Sequence, residues 1–253
     1  FFENIPGTII KKEFNKGTNF VNYEIDNETK TGHSQHFSFY ITPLEIISIS
    51  LTGPKNYAKL YANEVFSKIK LKENSTSWVN YNPNRGGFKV KIPAYYTAYG
   101  ERADNPENIE LQGFIAKDSS YYFVTERNLN SFYLLEDKQY EETQIQKEFF
   151  MQFDVEPIIS EVKSQIIESE GVFNNKKIVL RTKIYGNKYY LLGTVNATKE
   201  NKDQFFNSFE IQPFVYNETF EKYTDTINNF SIEMPKTRNE QVFLELNDKK
   251  YES

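Results

Sequence analysis

Trp78–Pro93 reads WVNYNPNRGGFKVKIP, and Phe220–Pro235 reads FEKYTDTINNFSIEMP. The second stretch falls on the first without a gap at an offset of 142 residues (220 minus 78). Trp78 meets Phe220, Tyr81 meets Tyr223, Phe88 meets Phe230, Val90 meets Ile232, Ile92 meets Met234 and Pro93 meets Pro235. Apolar residues alternate up to the proline in both copies. That is the pattern of a half-buried strand stopped where a backbone donor disappears. The intervening loops, Asn82–Gly87 and Thr224–Asn229, do not agree, so the likeness lies in the framework and not in the turn.

Two further pairings extend it. Phe66–Leu71 (FSKIKL) falls on Phe206–Ile211 (FNSFEI) at an offset of 140, and Phe1–Phe2 falls more loosely on Phe149–Phe150. Each Phe–x–x block follows two apolar runs, Phe37–Ile41 with Ile46–Leu51 and Ile178–Ile184 with Tyr189–Val195. Matched blocks in one order at nearly one spacing predict a tandem array of units about 140 residues long. The chain then divides into the back half of a first unit (1–73), a complete unit (74–213) and the front of a following unit (214–253). The absence of an initiator Met before Phe1 and of any tail beyond Ser253 fits cut or processed ends. A back half without its front strands should leave a sheet edge open, and 220–235 is the right kind of segment to cover it.

Within a unit, apolar residues recur at helical spacing over Asn56–Ile69, Pro157–Glu170 and Lys199–Phe209. Pro157 suits the first turn of the second of these, and Gly171 suits a left-handed stop after it. Phe88–Ile92, Ile109–Ile115, Ser120–Thr125, Ile178–Ile184 and Tyr189–Val195 read as strands. Short polar turns at Lys117–Ser119 and Gly186–Lys188 make antiparallel hairpins. The fold class is α+β, antiparallel sheets covered by helices.

A strand ending Phe88–x–Val90–x–Ile92–Pro93, the strand–turn–strand IVLRTKIYGNKYYLL over 178–192, and the closing FFNSF of 205–209 resemble the PsbP/Mog1-like α/β/α sandwich. The likeness covers about 78–211, with echoes in 36–71 and 220–235. It is similar in particular to repeats of large envelope-associated proteins of the Bacteroidota. The resemblance implies a binding or assembly module without catalysis, located in the cell envelope, in the periplasm or at the cell surface. It transfers no site residue.

The chemistry of the residues points the same way. Hydrophobic residues make up 38% and charged residues 26%, the balance of a folded domain. A net charge of −5 with interspersed signs leaves no basic stripe for a phosphate backbone, so nucleic acid is not an expected partner. Apolar runs such as Ile46–Leu51 are too short to span a bilayer. No Cys is present, which removes thiolate nucleophiles and Cys-ligated metals together.

His33 and His36 are the only histidines, and their spacing on a helix could offer two imidazoles to one metal. Gly32 instead suggests a solvated turn with no adjacent carboxylate. A serine hydrolase would have to route through those histidines, no Gly–x–Ser–x–Gly elbow exists, and Ser119–Ser120 lies at a hairpin. The carboxylate clusters Glu136–Asp137, Glu141–Glu142 and Glu168–Glu170 lie in polar surroundings and read as solvated surface. Asn82–Gly87 does not run from a strand into a helix, so it is a hairpin loop, not a phosphate cradle. Trp78, the lone Trp, reads as core or junction packing. Asn–x–Ser/Thr sequons at Asn27, Asn74, Asn196, Asn217 and Asn229 mark surface loops.

No catalytic, metal or cofactor residue is therefore assigned, and no cofactor is expected. The expectation is a non-enzymatic interaction or scaffold module engaging protein partners in a larger assembly. The alternative is a carbohydrate- or small-ligand-binding protein with a Tyr-lined cleft within 74–213.

Overall fold

The structure, a computed structural model, describes residues 5, 7–71, 75–100, 108–129, 137–163, 166–215 and 220–235. It is α+β, with every strand pairing antiparallel within its sheet.

The first sheet is a meander of β1 (Thr8–Lys16), β2 (Val21–Glu28), β3 (His33–Ile41) and β4 (Ile46–Pro54), in that order. Helix α1 (Tyr57–Phe66) lies on β3 and β4. Small residues Ala58 and Ala62 on its buried face let it approach closely. The Ala58 N–H, left without an intrahelical acceptor at the helix start, donates to Ser34 Oγ at 3.0 Å. β4 ends the sheet and has no second neighbour among the described strands.

The middle of the chain builds a larger body. β5 (Trp78–Tyr81) and β6 (Gly86–Pro93) form a hairpin joined by β14 (Glu210–Phe214) into a sheet of order β14-β6-β5. β7 (Tyr96–Tyr99), β8 (Ile109–Ile115), β9 (Ser120–Asn128), β10 (Ile158–Lys163), β11 (Ile166–Phe173), β12 (Lys176–Tyr185) and β13 (Lys188–Val195) form the order β10-β11-β12-β13-β9-β8-β7. On one face, Phe88, Ile92, Leu111, Tyr122, Val179 and Leu192 enclose Phe205 and Phe206 of α3 (Lys199–Asn207). On the other, Phe150 of α2 (Lys138–Met151) packs on Ile178, Leu180 and Leu191. A sheet covered twice explains why Ile178–Leu180 and Leu191–Leu192 are continuous apolar runs and not alternations. Leu44, in the β3–β4 turn, packs with Tyr95 and Phe114 and links the two bodies.

The third element is a hairpin of β15 (Phe220–Asp225) and β16 (Phe230–Pro235), whose strands pair, among the described residues, only with each other. Trp78 pairs with Pro93 and Tyr81 with Val90 in the first hairpin; Phe220 pairs with Pro235 and Tyr223 with Ile232 in the second. Positions aligned in sequence thus carry one register. In this chain the second hairpin does not cover the edge of the first sheet.

Two expectations need correction. The segment read as a helix over Pro157–Glu170 is β10 and β11, a hairpin in which Ile158 faces Glu170 and Glu161 faces Ile167. Its β-branched Ile and Val residues suit a pleated strand better than a helix. Gly171 is no helix stop: it lies in β11 opposite Ile178, where a Cβ would stand 2.5 Å from the Phe150 ring. The helix that covers this face is α2. Its buried positions are Glu142, Gln146 and Phe150, so two of three are polar and the apolar periodicity is missing. Asp137 caps it by accepting from the Gln139 and Tyr140 N–H groups.

Candidate functional site

The most enclosed charges lie where the β5–β6 turn meets the large sheet. Arg85 comes from that turn, Glu126 from β9 and Lys188 from the start of β13. Arg85 Nη2 stands 2.8 Å and Lys188 Nζ 2.5 Å from Glu126 Oε1, and Glu126 has no exposed surface. Its Oε2 accepts no hydrogen bond from the described residues. Tyr190 is its cross-strand neighbour, also buried. The Tyr190 hydroxyl is pushed well above its ordinary range, first by burial and then by the Glu126 charge.

The glycines of the turn make this arrangement possible. Gly86 and Gly87 have φ of 75° and 95°. A Cβ on Gly86 would fall 2.2 Å from the Pro213 carbonyl oxygen, and one on Gly87 2.8 Å from the Phe214 ring. The turn is a hairpin loop, as its sequence suggests, and glycine lets it fold Arg85 inward. The Thr224–Asn229 turn has no counterpart of the Arg or the glycines. A carboxylate sealed beneath two cations cannot be reached by a substrate, and its chemistry here is that of a clamp.

Glu168 makes a second such knot. Arg181 Nε and Nη2 approach its Oε2 at 2.9 and 2.8 Å, and Lys202 of α3 reaches Oε1 at 2.8 Å. The Arg181 guanidinium also covers the Phe206 ring at 4.4 Å. Glu142 is buried as well, accepting from the Ile184 N–H at 2.8 Å, and burial raises its carboxyl above the usual carboxylate value. The sequence reading of both as solvated surface is corrected. Each carboxylate faces inward because of the element it sits on: Glu142 meets the Ile184 N–H of β12, and Glu168 meets Arg181 opposite it on β12 and Lys202 of α3. Glu136 of the remaining cluster lies outside the described residues, and Asp137 serves as the helix cap.

Beside Glu168 lies a depression of about 270 Å3 lined by Lys177, Val179, Thr194, Ala197, Lys199 and Lys202. None of the six is aromatic. Its lysines are each bound to a carboxylate: Lys177 to Glu170 at 2.7 Å, Lys199 to Asp203 at 2.7 Å, and Lys202 to Glu168. Lys199 in turn holds Asp203 below its ordinary value. With its charge balanced internally, the depression offers an anion little attraction.

The histidines lie in β3, not in a turn. Residues three apart on a strand point to opposite faces, so the two rings do not converge. His36 is buried against Phe66, ring centroids 4.6 Å apart, and its Nδ1 is 2.8 Å from Asp26 Oδ1. A carboxylate does adjoin it, delivered by the β2–β3 pairing of Asp26 with His36. Among the described residues, no group of three His, Asp or Glu side chains could hold a metal ion. Ser120 Oγ donates to Asp118 Oδ1 at 2.6 Å within its own turn. Trp78 packs edge-on to Tyr122 at 5.0 Å, in the core as read. Asn27 is buried in β2 and donates to Gln35, so that sequon is not a surface loop; Asn74 and Asn217 lie outside the described residues.

What the molecule does present is apolar surface. Helix α1 turns Tyr57, Leu60, Tyr61 and Val65 outward, and the β15–β16 hairpin exposes Phe220, Phe230 and Ile232. No described helix is long and apolar enough to cross a membrane.

No protein-family model matches the chain, and no curated protein matches it. Among solved structures, it is similar to the solution structure of cyanobacterial PsbP (CyanoP) from Synechocystis sp. PCC 6803. The match has 13% identity, spans 57% of this chain and 99% of that one, and has a TM-score of 0.37.

Proposed function

We propose that the chain is a slice of a tandem array of PsbP/Mog1-like units about 140 residues long, acting as a non-enzymatic interaction or scaffold module of a larger cell-envelope protein. The observation that carries this reading is the shared hairpin frame. Trp78–Pro93 and Phe220–Pro235 are aligned in sequence and paired in one register, yet one is built into a three-stranded sheet and the other has no further strand beside it among the described residues and exposes Phe220 and Phe230. A unit whose apolar positions lie open is complete only with a neighbour. The inward-facing ionic clamps support the same view, since Glu126 and Glu168 are spent on joining elements. The units would then be 1–73, 74–213 and 214–253, as back half, whole and front. Pull-down of the native full-length protein with mass spectrometry tests the reading. Stable co-purifying proteins are the expected outcome, and recovery of a lone species would refute it.

A further inference from the structure

The first sheet and α1 repeat part of the complete unit strand for strand. Laying Leu51 on Leu192 (192 minus 51, an offset of 141) puts β2, β3 and β4 on β11, β12 and β13, with α1 in the place of α3. The registers then carry Asp26 to the place of Glu168 and His36 to that of Arg181, each acid opposite its base across a strand pair. Phe66 of α1 covers the His36 ring with centroids 4.6 Å apart, and Phe206 of α3 covers the Arg181 guanidinium at 4.4 Å. A knot of acid, base and Phe ring is therefore built twice from corresponding elements.

One neighbour differs. β13 lies between β12 and β9, whereas β4 has β3 alone among the described strands. Hydrogen bonds from the Thr42 N–H to the Glu45 carbonyl (2.9 Å) and from the Lys55 N–H to the Gly32 carbonyl (3.1 Å) fix the alternation of the β3–β4 pair. Ile47, Ile49 and Leu51 bond to β3, so Ser48, Ser50 and Thr52 turn their N–H and C=O groups to the open side. Their counterparts Tyr189, Leu191 and Gly193 face Arg127, Thr125 and Phe123 of β9. Side chains set the two edges of the first sheet apart. β1 carries Lys11, Lys12, Glu13 and Lys16, charges that discourage further pairing, and its counterpart β10 is the outermost strand of the large sheet. β4 has no charged residue from Ile46 to Pro54. One edge is guarded and the other is ready to pair.

We propose that β4 takes up a β9-like strand of the neighbouring repeat through Ser48, Ser50 and Thr52, and that this strand lies in the part of the parent chain leading into β1. The inference rests on the tandem reading. In the complete unit β9 comes before α2 and β10, so the same chain order sets its counterpart before β1. Charge selects the occupant. Glu126 of β9 faces Tyr190 and is bound by Lys188, but Ile49 and Ile47 hold those places in β4. With no cation on β4 to pair an acid, the incoming strand carries an uncharged residue where β9 has Glu126. Main-chain bonds to an added strand supply the affinity, and alternate side chains supply the fit.

Hydrogen exchange resolved to single amides, run on this chain and on the native full-length protein, tests the pairing. In this chain the Ser48, Ser50 and Thr52 amides should exchange freely while Ile47, Ile49 and Leu51 are protected by β3. In the full-length protein the first three should slow by about a hundredfold or more, equally at every protein concentration. Ser50→Pro removes one outward donor and suits an open edge, so it should leave the urea midpoint of this chain nearly unchanged, yet restore fast exchange at Ser48 and Thr52 in the full-length protein. Equal exchange in the two proteins overturns the pairing, as does a full-length protein indifferent to Ser50→Pro. Protection that grows with concentration overturns it too, since the occupant is then a second molecule. A full-length protein that contains further units but leaves β4 exchanging sinks this pairing alone; one with no second unit sinks the tandem reading with it.

Discussion

Replacing Glu126 by Gln keeps the shape of the side chain and removes its charge, leaving Arg85 and Lys188 facing each other. Each cation lies within 2.8 Å of Glu126 Oε1, and the carboxylate is wholly buried. At an effective dielectric of about 20, each attraction is worth roughly 6 kcal/mol at these distances, much of it cancelled by the cost of dehydrating the three groups. Breaking a buried pair from one side costs about 3–5 kcal/mol. Arg85 and Lys188 retain 22% and 11% of their side-chain exposure, which lets water soften the repulsion and puts the loss near the lower figure. For a body of this size, that corresponds to a fall in Tm of about 6–12 °C. Trp78 is the only Trp and packs on Tyr122 in the same core, so its fluorescence in a urea titration reports this body directly. The loss should fall only modestly at high salt, since the charge removed has no exposed surface and buried pairs are screened much less than exposed ones. Replacing all three groups by Met, Leu and Met should restore stability to within about 1 kcal/mol. A Glu126→Gln loss below about 1 kcal/mol, or a triple variant as unstable as the single one, would refute the clamp.

Three other predictions use the same titration. Gly86→Ala forces a left-handed backbone on a residue with a Cβ and drives that Cβ into the Pro213 carbonyl, so it should cost more than about 2 kcal/mol; a neutral outcome would mean β14 is not seated as described. Burial raises the Glu142 carboxyl, so the folded state holds its proton more tightly than the unfolded chain. Its contribution is complete below pH 4.5 and fades as pH rises through the folded value. Glu142→Gln, which can still accept from Ile184, should therefore exceed wild type at neutral pH and match it in acid, whereas Glu142→Ala should lose about 1–3 kcal/mol; equal stability of all three at neutral pH contradicts this. Tyr122 and Tyr190 are buried and raised above 10.0, so the stability they contribute is lost as pH climbs past that value, by up to about 1.4 kcal/mol per residue per pH unit. Tyrosinate absorbance followed beside unfolding should show the two hydroxyls ionising only as the chain opens; ionisation of both in the folded state near the ordinary value would count against it.

Local pattern alone determined the hairpins. Alternation from Phe88 to Pro93 and from Phe230 to Pro235, and the polar turns at Lys117–Ser119 and Gly186–Lys188, specify strand pairs closed over a few residues, and the registers follow. The stripe of α3 was legible for the same reason, since helix period and burial coincide at Phe205 and Phe206; in α1 the period gave the helix, but of its apolar residues only Ala58, Ala62 and Phe66 are buried. Helix α2 was not, because its inward face carries Glu142 and Gln146, which find partners only after β11 and β12 are laid beside it. Nor does anything near Glu126 announce that Arg85, 41 residues earlier, and Lys188, 62 later, will close on it. Asp26 and His36, Glu168 and Lys202 meet in the same way, through strand register and helix docking. Periodicity is a property of neighbours along the chain and can be read there. The environment of a buried charge is a property of neighbours in space, and only the packed sheets bring those together.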